Sequence, residues 1–170
     1  MRHLLILLCS MALVSGCGGG KSTPGGDSWT ASPERVIEGI MHAYATRDDS
    51  LYAALLTDDF RYFFEPAGAD SADILGWGKG EEVVVTGNLF RTPDVDSLSY
   101  TLRVEPTRDA GPGKEGWRVV PVSGGEMIVL VRSQKPMEVT LNRQEIVLKP
   151  TERGWQIIEW HDFPDGGITP

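Results

Sequence analysis

The chain has 170 residues, of which 41% are hydrophobic and 24% charged, and a formal charge of −8. So acidic a balance excludes a phosphate-reading groove for nucleic acid and a broad electrostatic contact with anionic lipid. Past a short leader, the length suits one domain with a single core, large enough to bury about two thirds of the surface its unfolded chain exposes.

Met1, Arg2 and His3 make a basic start, and Leu4 to Leu13 is an almost unbroken apolar run. About ten apolar residues fall short of the roughly twenty that span a bilayer, so residues 1–16 read as a signal peptide. The run ends in Leu13-Val-Ser-Gly-Cys17 and not in an Ala-x-Ala-like site. This resembles the lipobox of bacterial lipoproteins, which implies cleavage before Cys17, a diacylglyceryl group on its sulfur and an acyl chain on its amine. Two or more chains, at roughly 0.8 kcal/mol per buried methylene, make release from a membrane slow. Gly18 follows where an Asp would, in enteric-type bacteria, hold a lipoprotein at the inner membrane. Cleavage removes Arg2, taking the formal charge from −8 to −9, and removes Cys9. With Cys17 acylated, no disulfide is available to the folded part, which must stand on its hydrophobic core. Residues 17–31 are expected to be the lipidated cysteine and a flexible tether of Gly, Ser and Pro, too poor in apolar groups to order itself. Gly20-Lys21-Ser22 is not a P-loop: position 15 is Ser where the motif needs Gly, and no strand precedes it.

Ser32-Pro33-Glu34 is a helix start, with an oxygen for the free amides, a proline at the first position and an acid at the positive end of the dipole. Val36, Ile37, Ile40, Met41 and Tyr44 recur at helical spacing up to Arg47. Asp48 or Asp49 can cap a second, shorter helix that turns Leu51, Tyr52, Leu55 and Leu56 inward. The chain then runs extended from Phe60 to Phe64, and residues 66–78 read as a loop. Glu81–Phe90 reads as a third helix, with Val83, Gly87 and Phe90 on one face. After it the period changes from 3.6 to 2. Strands are predicted at Leu98–Val104, Trp117–Val122 and Met127–Val131, then one from Met137 that continues past a bulge through Ile146 and Leu148, and a last one at Trp155–Phe163. Helices first and a run of strands after them make an α+β fold, with the helices on one face of a strongly bent antiparallel sheet.

A first helix ending in Tyr44-Ala-Thr-Arg47-Asp48, the phrase Leu55-Leu-Thr-Asp-Asp-Phe60 and a closing Gly154-Trp-Gln-Ile157 strand resemble the nuclear transport factor 2-like (NTF2-like) fold. The resemblance implies a cone-shaped domain, taken over residues 32–164, and residues 165–170 are expected to be a disordered tail. Its members include SnoaL-like polyketide cyclases and ketosteroid isomerases. In the isomerases a first-helix tyrosine donates to the substrate oxyanion and a strand aspartate is the base. Tyr44 matches that tyrosine by position, while no acid of this sequence aligns with the base.

Alternation along the last strand places Trp155, Ile157, Glu159, His161 and Phe163 on one side and Gln156, Ile158, Trp160 and Asp162 on the other. Glu159 and His161, with Cα atoms about 6.5–7 Å apart, are the candidate acid–base pair, with Tyr44 beside them; the plainer alternative is a solvated pair on the sheet surface. Tyr44, Tyr62, Phe64, Trp77, Tyr100 and Trp155 are the candidate lining of a ligand cavity, or else simply core. No metal or cofactor is expected: only His42 and His161 remain after cleavage, in no ligand spacing. Ser123 lacks a nucleophile elbow, because position 121 is Pro.

The expected protein is a lipoprotein of the cell envelope, on the periplasmic side of a membrane or at the cell surface. Its partners are the membrane, through the lipid on Cys17, and a small apolar ligand or a protein; nucleic acid is excluded. Two alternatives stay open: a SnoaL-like enzyme of isomerase, cyclase or hydrolase type using Glu159 and His161, and a structural module that forms a homodimer through its sheet, with Ile158 and Trp160 exposed at the contact.

Overall fold

A computed structural model of the chain describes residues 28–65 and 75–163. The expected signal peptide, the lipidation at Cys17, most of the tether, part of the 66–78 loop and the expected tail at 165–170 lie outside the described residues. No helix among the described residues is long and apolar enough to cross a membrane.

Three helices come early: α1 (Pro33–Thr46), α2 (Asp49–Leu55) and α3 (Lys79–Arg91). The Ser32 side chain accepts from the Arg35 amide at the start of α1, and Arg47 closes it in the left-handed region with φ 55°. Asp48 caps α2 by accepting from the Leu51 amide at 2.8 Å. The inward stripe of α1 is Val36, Ile37, Ile40 and Ala43. On α3 the buried positions are Glu82, Thr86, Gly87 and Phe90, so the helix turns two polar side chains inward, while Val84 and Val85 are more than half exposed.

The strands are β1 (Leu56–Phe64), β2 (Leu75–Gly78), β3 (Val95–Val104), β4 (Arg108–Asp109), β5 (Arg118–Val131), β6 (Met137–Leu141), β7 (Arg143–Thr151) and β8 (Gly154–Phe163). They form one sheet in the order β2-β1-β8-β7-β5-β3, with β4 and β6 also paired to β5. All pairs are antiparallel except that of β1 with β8, the first and last strands of the domain in the described order, which run parallel. β2, in a segment read as loop, pairs with β1 and sets Trp77 opposite Tyr62. The two strands expected at 117–122 and 127–131 are one 14-residue strand, β5. Its first half pairs with β7 and its second with β6, so the bulge expected after Leu141 is a break at Asn142 that follows the bend of β5.

Gly124 and Gly125 occupy that bend. Gly124 has φ 147°, and a Cβ on Gly125 would stand 2.2 Å from the Thr101 carbonyl oxygen of β3. The close approach is what lets a long strand fold over without losing its ladder.

The domain also begins earlier than position 32. Trp155 N–H donates to the Thr30 carbonyl at 2.8 Å, Thr30 Oγ1 donates to the Arg153 carbonyl at 2.7 Å, and Trp29 stacks on His42. Residues 28–31, expected as tether, are fastened to α1 and the β7–β8 turn.

The main core lies between the helices and the concave face of the sheet, around Tyr52, Phe60, Leu148 and Ile157. A smaller cluster on the convex face joins Val119, Val147 and Ile158 under Trp117. Ile158 and Trp160, expected to be exposed for a dimer contact, are 7% and 4% exposed. Substituting Gly125→Ala is expected to lower unfolding stability by on the order of 2 kcal/mol, read as a lower urea midpoint. An unchanged midpoint would show that the bend does not depend on the contact with Thr101.

Candidate functional site

The decisive local feature is a β-bulge in β8. Leu148 pairs with Ile157 but Val147 pairs with Glu159, so Ile158 is the extra residue. Because side chains alternate with period 2, one inserted residue exchanges the two faces for the rest of the strand. Trp160 and Asp162 therefore point to the concave side, where Trp155 and Ile157 already point, and Glu159 and His161 go to the convex side. The simple alternation expected along 155–163 breaks at this residue.

The concave side encloses a cavity of about 280 Å³, lined by side chains from both layers. Tyr44 comes from α1, Tyr52 from α2, Tyr62 and Trp77 from β1 and β2, Tyr100 from β3 and Trp160 from β8. Tyr44 stacks on Tyr100 with centroids 4.3 Å apart, and Tyr62 on Trp77 at 4.2 Å. Val85, Leu89, Met127 and Leu141 add aliphatic wall. A second hollow, about 290 Å³ beside Asp58, Asp59 and Arg153, is an open polar dish with no aromatic side chain among its described lining residues.

Two carboxyls face the aromatic cavity, Glu82 on the helix side and Asp162 on the sheet side. Glu82 is buried and accepts from Tyr52 O–H at 2.5 Å, Trp77 Nε1–H at 2.6 Å and Thr86 Oγ1–H at 3.1 Å. Asp162 accepts from Tyr62 O–H at 2.9 Å. Burial raises the Asp162 carboxyl above the ordinary aspartate value, and the hydrogen bonds from Tyr62 and Gln144 only partly offset this. Burial likewise pushes the Tyr44 phenol up to about 12, with the Glu82 charge adding to it, so these phenols stay protonated donors. The Gln144 Oε1 and Trp160 Nε1 atoms are buried without a hydrogen-bond partner among the described residues.

Of the residues singled out from sequence, Tyr44, Tyr62, Trp77 and Tyr100 are brought together in this cavity; Phe64, Trp155, Glu159 and His161 are not among its lining. Trp155 packs on the main core. On the convex face Glu159 accepts from Lys114 Nζ at 2.6 Å and lies 3.2 Å from His161 Nε2, whose Nδ1 is 2.5 Å from Glu65. Burial pushes the Glu159 carboxyl up, but the hydrogen bonds from Lys114 and His161 outweigh it and hold the group below its ordinary value. The pair is in contact, as neighbours on one face should be, but outside the cavity. Sequence reasoning missed Glu82, Asp162 and Gln144. Glu82 shares a helical face with Thr86 and Phe90, and an acid on the face of a buried aromatic was the available signal. No three His, Cys, Asp or Glu side chains among the described residues converge as metal ligands would.

No protein-family model matches the chain, and no curated protein matches it in sequence. Solved structures do match in shape. A conserved protein from Planctomyces limnophilus DSM 3776 superposes with a TM-score of 0.59 at 17% identity, over 76% of this chain and 91% of the other. An NTF2-like protein from Pseudomonas putida KT2440 gives 0.56 at 16%, over 80% and 86%. The fold is NTF2-like. A ketosteroid isomerase-like protein from Erwinia carotovora atroseptica SCRI1043 gives 0.53 at 18%, over 85% of this chain and 99% of that one. At such identities the likeness is one of fold, and the NTF2-like cone is here an α+β domain with its cavity between helices and sheet.

The raised Asp162 carboxyl makes a stability prediction. A carboxyl raised in the folded state leaves stability intact below its unfolded value near 3.8 and removes it as pH rises through the folded value. Asp162→Asn is therefore expected to melt higher than wild type at pH 7, on the order of 1–3 °C for a half-buried, partly screened group. The difference should vanish below about pH 4. A variant that melts lower at pH 7, by an amount independent of pH, would contradict the assignment.

Proposed function

We propose that this protein is a lipoprotein of the bacterial cell envelope, held to a membrane by the lipid on Cys17, whose NTF2-like domain captures a small, largely apolar molecule in the cavity between α3 and β8. The observation that carries the binding reading is the cavity wall: six aromatic side chains with a few fixed polar groups among them. That is the usual make-up of a small-molecule site, and about 280 Å³ falls just below the roughly 300 Å³ at which such sites begin, which suits a small ligand. The anchor rests on the sequence at Leu13–Cys17, with the chain from Gly18 to Asp27 left to join lipid and domain.

A second reading, an enzyme of the SnoaL-like kind, is favoured by one observation: a carboxyl raised by burial sits in the cavity with a phenol donating to it. In that reading the proton-transferring group is Asp162, with Tyr62 as the hydrogen-bond donor. Glu159 and His161, on the convex face, are not in reach of a substrate bound in the cavity.

Isothermal titration of the full chain with 2-naphthol, a neutral aromatic probe, tests the binding reading. One saturable site is expected, weakened by about tenfold or more in Leu141→Trp, whose larger side chain fills the cavity. Equal heats in wild type and variant, or none in either, would contradict it. The anchor is tested by Cys17→Ser: the product should lose acyl label and leave the membrane fraction, and a variant still labelled and membrane-bound would remove the lipoprotein assignment.

A further inference from the structure

The cavity has an electrostatic character that its aromatic wall does not require. Both of its ionisable acids, Glu82 and Asp162, lack a cationic partner: among the described residues no Lys, Arg or His forms an ion pair with either, and none lines the cavity. The nearby cations are committed elsewhere. Lys79 binds the Leu56 carbonyl and Asp58, Arg91 binds Asp49, and Arg47 donates to the Val95 carbonyl. Glu82 and Asp162 approach from opposite layers and are joined through the wall, since Tyr62 donates to Asp162 and stacks on Trp77, which donates to Glu82.

From this geometry we infer that the ligand of the cavity is an organic cation, a protonated amine on an aromatic or aliphatic body small enough for about 280 Å³. The inference rests on the reading of the cavity as a small-molecule site and names its substrate class. Three features select the cation. Two carboxyls with no counter-ion among the described residues repel an anion and attract an ammonium, the more strongly because the Glu82 carboxyl is buried. Aromatic faces add attraction for a positive charge through their quadrupoles. The side of the cavity near Asp162 is rich in acceptors: Gln144, which stands opposite Asp162 in the β7–β8 register, has a buried Oε1 with no donor. An ammonium N–H supplies one. The buried Trp160 Nε1–H, which has no acceptor, calls for an oxygen on the same ligand.

The test compares three probes of one shape and different charge on the full chain at pH 7: 2-phenylethylammonium, 2-phenylethanol and 3-phenylpropanoate. Titration calorimetry is expected to rank them in that order, with the cation bound about tenfold or more tighter than the alcohol. Asp162→Asn is expected to bring the cation down towards the alcohol, and Glu82→Gln to do so from the other wall. The wild-type ranking stands by itself if a variant fails to fold. If the alcohol or the carboxylate binds as tightly as the cation, the charge inference is overturned and the small-molecule reading survives. If none of the three binds and 2-naphthol also fails, both fall.

Discussion

Two residues of β8, Ile158 and Glu159, stand against a single residue of β7, Val147, and the chemistry of the domain follows from that mismatch. Without the inserted residue, Glu159 and His161 would face the helices, and Trp160 and Asp162 would face away from them. With it, an aromatic ring and a carboxyl enter the cavity, while the histidine and its two glutamates settle on the convex side. The displaced Ile158 does not go to waste, because it closes the small outer cluster with Val119 and Val147. A bulge is held in place when both of the faces it creates are packed, and both are here.

On the helix side the equivalent constraint is Glu82. A buried carboxylate is tolerated only with its lone pairs filled, and its three donors come from α2, β2 and α3 itself. The same bonds that satisfy it fix α3 relative to α2 and β2 and seat Trp77 in the wall. Polar groups thus set the shape of the cavity as much as the apolar ones, and Tyr62 ties the two walls together through its bond to Asp162 and its stack on Trp77.

Most of the fold was legible from the sequence, because the elements announce themselves locally. Ser32-Pro33 and Asp48 are side-chain caps that act within a few residues, the α1 stripe is a plain 3.6 period, and the alternation in β3 and the first half of β5 is a plain period of 2. What was not legible depends on partners distant in the chain. β2 is four residues whose strand geometry comes from pairing with β1, and the bend of β5 depends on β3 passing close to Gly125. The tie of Thr30 to Trp155 spans most of the domain. The site was half legible for the same reason. Tyr44, Tyr62, Trp77 and Tyr100 could be picked as aromatics on inward faces, but Asp162 could be placed only by knowing that β8 carries an extra residue, which alternation alone does not reveal. Glu82 looked like a first-turn acid favoured by the helix dipole, and its burial comes from donors on two other elements.

The most direct test of this account is a carboxyl-carbon NMR titration of the full chain with labelled aspartate and glutamate. It predicts that Asp162 titrates above the ordinary aspartate range and Glu159 below the ordinary glutamate range, as their places on opposite faces of β8 require. Glu159 titrating high with Asp162 at or below its ordinary value would put the wrong face of the strand in the cavity and contradict it.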